Sequence, residues 1–84
     1  QEAKITPEAE KQEDENAEQD LYKRALNLIR QNKPEQARHL LLDFKDKYPQ
    51  SKLTPNILYW IGETYYDQNQ FAKAILTFKQ VVQN

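Results

Sequence analysis

The stretch YWIGETYYDQNQFAKAILTF, residues 59–78, decides the fold of this chain. It holds the only glycine and the only tryptophan, and its apolar residues recur at three- and four-residue spacing on both sides of a polar DQNQ segment. This pattern predicts two helices joined by a tight turn. A glycine inside a helix costs about 1 kcal/mol relative to alanine, so Gly62 needs a structural reason, and close contact with a facing helix is the one we expect.

The same helical spacing extends back to Leu21. No segment alternates convincingly with period two, and one glycine is too few for a turn-rich β fold. Pro49 ends one helix because it disfavours helical geometry at Tyr48. The predicted fold class is therefore all-α, with helices over about residues 21–32, 34–48, 55–68 and 71–84.

The first 17 residues are predicted to be a polar, acidic linker or an exposed helical extension. Residues 1–20 contain eight acids and two lysines, a balance of −6, whereas residues 21–84 contain ten bases and five acids, a balance of +5. A segment this poor in apolar residues favours disorder. Two Thr-Pro pairs nevertheless predict helix starts, with Thr6 and Thr54 as N-caps and Pro7 and Pro55 as first helical residues.

Several classes of function are excluded or disfavoured. The bases are dispersed rather than interleaved with aromatic residues, so nucleic acid is not an expected partner. No apolar run has spanning length, and we expect no membrane insertion. His39 is the only histidine and there is no cysteine, phosphate-binding loop or nucleophile elbow. We predict no catalytic residue, no metal site and no cofactor, and hence no enzyme.

The chain repeats itself after 37 residues. Leu21 falls on Leu58, Tyr22 on Tyr59 and Ile29 on Tyr66, and each match keeps small residues on small ones and large residues on large ones. Two antiparallel helices cross closely only where small residues meet. The residues predicted to pack the two units, 18–54 and 55–84, are Ala25, Ala37, Leu41, Gly62, Tyr65, Ala74 and Phe78.

IGETYY, AKAILTF and the YP that closes the first unit resemble the tetratricopeptide repeat, which is usually about 34 residues long. The matching positions are Leu58, Ile61, Gly62, Tyr65, Ala74 and Phe78 in the second unit and Leu21, Ala25, Leu28, Ala37, Leu41 and Pro49 in the first. Arg24 departs from the pattern, because a leucine is usual there. The resemblance implies a helix-turn-helix superhelix that presents a groove to another protein.

The longer unit, with YPQS followed by PN, then YWIGETYY and FAKAILTFKQVV, resembles the C-terminal repeat domain of the YbgF (CpoB) family of Tol-Pal system proteins. That resemblance covers residues 18–84 and implies a periplasmic scaffold whose partners are TolA or a peptidoglycan synthase. Such a scaffold would coordinate envelope constriction and peptidoglycan synthesis during cell division. Two alternatives stay open. One is a BamD-like outer-membrane assembly factor, and the other is a recruiting segment of a larger envelope enzyme.

The resemblance also implies where a partner binds. The groove-facing residues would be Tyr22, Leu26, Ile29, Tyr59, Glu63 and Tyr66, whereas Trp60 is expected to pack against the neighbouring helix. The groove lacks the lysines and asparagines that bind a peptide carboxylate, so an apolar or helical partner segment is favoured. About three repeats are normally needed for stability. We therefore expect a truncated second unit to expose Leu76, Val82 and part of Phe78 and to self-associate through the last helix.

Overall fold

The structure is a computed structural model that describes the backbone of residues 7–83 and the side chains of residues 15–83. Every regular element within these residues is a helix, which confirms the all-α prediction. The first two helices form one antiparallel pair and the last two form another, and the second helix packs against the third. The four helices are α1 (Pro7–Arg30), α2 (Pro34–Lys47), α3 (Thr54–Asp67) and α4 (Phe71–Gln83).

α1 is the longest of the four helices, at 24 residues. It runs without a break across the predicted boundary between residues 17 and 18. The expected N-cap, Thr6, lies outside the described residues. Glu18 accepts a hydrogen bond from the hydroxyl of Ser51, in the loop between α2 and α3. The division into 1–17 and 18–84 stays a prediction, because the backbone of α1 does not mark it.

Two asparagines end the first helix of each pair in the same way. Asn32 and Asn69 have φ angles of 61° and 62°, in the left-handed region. In the first turn Lys33 N–H donates to the Leu28 carbonyl at 2.9 Å, and in the second Gln70 N–H donates to Tyr65 at 2.9 Å. This is the Schellman arrangement that caps a helix C-terminus. The 37-residue repeat is therefore present in the backbone geometry as well as in the sequence.

The start of α3 corrects one prediction. Thr54 is not the N-cap but the first helical residue, and Leu53 holds the cap position without a side-chain capping bond. The reason is Ser51, whose Oγ accepts the Leu53 N–H at 3.0 Å and whose carbonyl accepts the Thr54 hydroxyl at 2.8 Å. Because Ser51 accepts the backbone N–H ahead of the helix, the Thr54 side chain is not needed as a cap, and Thr54 is the first residue of α3.

The core lies where α1, α2 and α3 meet. Its buried members are Ala25, Leu41, Phe44, Ile57 and Ile61. Two of the remaining predicted packing residues, Ala37 and Ala74, are fully buried, and Gly62 is buried beneath the ring of Phe78. Tyr65 and Phe78 are only half-buried. Each of the four helices thus buries one of the small residues Ala25, Ala37, Gly62 and Ala74.

Candidate protein-binding surface

The second repeat exposes far more large apolar surface than the first. Tyr59 and Tyr66 of α3 are 44% and 56% exposed, and on α4 the exposed fractions are 55% for Ile75, 62% for Leu76 and 86% for Val82. Exposed apolar residues clustered on one face mark interaction sites in soluble proteins. The expected exposure of Leu76 and Val82 is confirmed.

The three predicted groove residues on α1 are half-buried rather than open. Tyr22 and Ile29 pack against the core, and Leu26 is also half-buried. The Tyr22 hydroxyl accepts the indole N–H of Trp60 at 3.1 Å and the amide of Asn56 at 3.5 Å. Tyr22 therefore joins α1 to α3, and Trp60 packs against its neighbouring helix as expected.

Two of the three predicted groove residues on α3, Tyr59 and Tyr66, contact aromatic rings of α4. The Tyr59 ring lies 6.0 Å from the ring of Phe78, centroid to centroid, and 5.1 Å from that of Trp60. The Tyr66 ring lies 5.1 Å from that of Phe71 in an edge-on contact. Glu63, between the two tyrosines, is half-buried. Aromatic pairs of this kind add stability beyond the area they bury, so both exposed tyrosines are held in place by α4.

The structure shows a cation–π contact between Arg38 of α2 and Tyr65 of α3 that the sequence analysis does not predict. The Arg38 guanidinium carbon stands 4.3 Å from the centroid of the Tyr65 ring, and the Lys73 ammonium stands 5.7 Å from it. Arg38 also donates to the Thr64 hydroxyl at 3.3 Å, and that hydroxyl donates to the Ile61 carbonyl. Nothing in the helical periodicity distinguishes Arg38 from an ordinary surface arginine.

An open depression of about 510 Å³ lies between α1 and α2, away from the exposed tyrosines. It contains His39, and its other lining residues are Arg24, Asn27, Leu28, Gln31, Gln36 and Leu40. The described residues hold no group of three or more histidine, cysteine or carboxylate side chains that could bind a metal ion. Among the same residues no helix is long and apolar enough to cross a bilayer.

Comparison with known proteins assigns both helix pairs to one kind of repeat. A family model described as the tetratricopeptide repeat matches residues 21–51 and again residues 57–84. One match falls within each of the units 18–54 and 55–84, and neither includes the acidic first turns of α1. No curated protein and no solved structure matches the chain.

Proposed function

Because this chain belongs to the tetratricopeptide-repeat family, we propose that it is a protein-interaction scaffold without catalytic activity of its own. Repeats of this family generally mediate protein–protein interaction. The observation that carries the proposal is the pair of exposed tyrosines, Tyr59 and Tyr66, each held against an aromatic residue of α4. Tyrosine offers a large apolar face with a polar tip, and a ring that is already ordered loses little entropy when a partner covers it.

We further propose that the partner belongs to the Tol-Pal machinery of the bacterial periplasm, with TolA as the first candidate and a peptidoglycan synthase as the second. The support is the resemblance of YPQS, YWIGETYY and FAKAILTFKQVV to the YbgF family. In this role the module coordinates envelope constriction with wall synthesis during division. The binding surface would comprise Tyr22, Leu26, Ile29, Tyr59, Glu63 and Tyr66.

The experiment is a direct titration with purified periplasmic TolA. Trp60 is the only tryptophan of the chain and its ring contacts Tyr59, so its fluorescence reports on binding near that residue once the partner's own emission is subtracted. Isothermal titration calorimetry gives the affinity independently. We expect saturable binding that the double substitution Tyr59→Ala with Tyr66→Ala weakens at least about tenfold, equivalent to about 1.4 kcal/mol.

A matched control separates the surface from general damage. Tyr48→Ala also removes a tyrosine ring, but that ring contacts Phe44 of α2 and packs on the core rather than on α4. Circular dichroism first establishes that each variant is folded. TolA binding that is absent, or that survives the double substitution unchanged, would refute the assignment to TolA at this surface.

A further inference from the structure

Two cationic side chains from different helices converge on one aromatic ring of α3. The Arg38 guanidinium of α2 stands 4.3 Å from the centroid of the Tyr65 ring, and the Lys73 ammonium of α4 stands 5.7 Å from it. We call these three residues the cationic site. The structure describes all three helices that form it, so no further segment of the chain is needed to build it.

The two charges of the cationic site have no acidic partner within residues 15–83. Glu35 is the acid nearest to Arg38 in the sequence, and Asp67 is the one nearest to Lys73. Within this part of the chain neither cation forms an ion pair with these or with any other carboxylate. The ring attracts each cation but does not remove the repulsion between them. The site therefore carries positive charge that an anion would neutralise.

Arg38 is held in position to receive an anion. Its half-buried side chain lies over the Tyr65 ring and donates one N–H to the hydroxyl of the fully buried Thr64 at 3.3 Å. A guanidinium has five N–H donors, so the others stay available, and their fork matches the two oxygens of a carboxylate. Lys73, which is exposed, adds an ammonium group. Because Arg38 is already ordered, binding costs it little entropy.

The chain itself contains a segment of complementary charge. Residues 7–17, the first three turns of α1, contain five acids and one lysine, and residues 15–17 are exposed. Residues 1–20 as a whole carry a balance of −6, against +5 for residues 21–84. Positions three or four residues apart are neighbours on a helix, so a run of acids offers two carboxylates to two cations. Complementary charge of this kind steers association and fixes its register.

The acids of residues 7–17 cannot reach the cationic site of their own chain. α2 begins four residues after α1 ends and runs antiparallel to it, so Arg38 lies beside the last turns of α1. α1 is one unbroken helix of 24 residues. At about 1.5 Å per residue, its first turns lie on the order of 20 Å further along the helix axis. A second copy of the chain is free of this constraint.

We propose that the cationic site binds the acidic first turns of α1, residues 7–17, of a second copy of the chain. Arg38 and Lys73 of one copy then face carboxylates that the other copy supplies, and the site is incomplete without them. The contact joins two different surfaces, so it does not close on itself and adds copies head to tail. It uses neither Tyr59 nor Tyr66, and it therefore goes beyond the proposed function.

The first test is sedimentation velocity of the full chain at low and high salt. In about 20 mM NaCl we expect association in the range of about 100 μM, and in about 300 mM NaCl an association at least about tenfold weaker, because salt screens exposed charges. Lys73→Glu should weaken the low-salt association at least about tenfold, because it places a carboxylate against the incoming acids. The matched control is Lys79→Glu, the same change on the same helix at a lysine that is not among the cations at the Tyr65 ring. It should weaken association no more than about threefold.

Mixing two variants tests the head-to-tail arrangement. One variant is Lys73→Glu, which keeps the acidic segment. The other is Glu13→Gln with Asp14→Asn and Glu15→Gln, which keeps the cationic site. Neither variant should associate alone. An equimolar mixture should form a heterodimer with the affinity of the natural contact and grow no further, because only one productive contact remains.

The acidic variant needs a control of equal charge. Glu35→Gln with Asp43→Asn and Asp46→Asn removes three negative charges from exposed residues of α2 instead. It should weaken association no more than about threefold. Circular dichroism establishes that every variant is folded.

The remaining outcomes are each decisive. Absence of association at low salt, equal losses from Lys73→Glu and Lys79→Glu, or a mixture that stays monomeric would overturn the proposal. So would an association that salt does not weaken and that Leu76→Asp abolishes, because it would place the contact on the apolar face of α4. TolA binding is measured separately and tests the proposed function alone, so either inference can fail while the other holds.

Discussion

The ring of Phe78 occupies the space beside Gly62 that a side chain would otherwise fill. A Cβ atom added to the glycine would stand 2.7 Å from Cδ1 of that ring and closer still to Cε1. Real Cβ atoms essentially never approach another carbon this closely. The contact joins α3 to α4 and explains why the only glycine of the chain lies in the middle of a helix.

Gly62→Ala should therefore destabilise the protein although alanine is the better helix former. Helix propensity alone would stabilise by about 1 kcal/mol. The methyl group instead displaces the Phe78 ring, and we expect a net loss of about 1–2 kcal/mol in the free energy of unfolding. Urea denaturation followed by circular dichroism measures it.

The control for this prediction is the double substitution Gly62→Ala with Phe78→Leu. It removes the ring that the methyl group meets, so adding Gly62→Ala to Phe78→Leu should cost less than adding it to the natural chain. A Gly62→Ala protein more stable than the natural chain would contradict the packing described above.

The two left-handed asparagines give a prediction about backbone strain. Asn32→Ala and Asn69→Ala should each lower the free energy of unfolding by about 1 kcal/mol, because alanine lacks the short polar side chain that lets asparagine tolerate positive φ. Asn32→Gly and Asn69→Gly should be neutral or stabilising. Thermal unfolding distinguishes them, with Gln31→Ala as a neighbour that needs no left-handed backbone. Equal stability of the alanine and glycine variants would be inconsistent with the φ angles.

Much of this architecture could be predicted from the sequence, because close helix packing requires small residues at regular positions in each helix. Ala25, Ala37 and Ala74 lie at matched positions of two units, and all three are buried. Ile57 and Thr64 were not predicted, although both are fully buried. α3 is packed by α2 on one side and α4 on another, so its buried surface is wider than a single apolar stripe. A single apolar stripe along α3 predicts the burial of Leu58 and Ile61 but not that of Ile57 and Thr64, which lie beside them.

The candidate site was predictable to a smaller extent. The phase of the helix separates Tyr59 and Tyr66 from the core positions, and both are exposed. Their contacts with α4 depend on how two helices cross, which no local pattern specifies. The same holds for the Tyr22 hydroxyl, which receives two donors from a helix more than 30 residues away in the chain.

The Arg38–Tyr65 contact should be worth a measurable coupling energy. Arg38→Met keeps much of the side chain's length but removes its charge, and Tyr65→Leu removes the ring. We expect each to lower the free energy of unfolding, with a coupling between them of about 0.5–1 kcal/mol in a double-mutant cycle. Tyr65→Phe keeps the ring and should preserve most of the coupling. Strictly additive losses would mean that the guanidinium and the ring do not stabilise each other.

The hydrogen bond between Trp60 and Tyr22 offers an optical test of how the two units are joined. Tyr22→Phe removes the oxygen that accepts the indole N–H at 3.1 Å while keeping the ring that packs on the core. We expect a loss of about 0.5–1.5 kcal/mol in the free energy of unfolding. The fluorescence emission of the folded protein should shift as well, since the indole of its only tryptophan changes partner.

Tyr48→Phe is the matched control, because that ring packs on Phe44 and its hydroxyl does not contact Trp60. It should leave the emission maximum unchanged. An unchanged emission in Tyr22→Phe would show that the indole does not donate to that hydroxyl in solution.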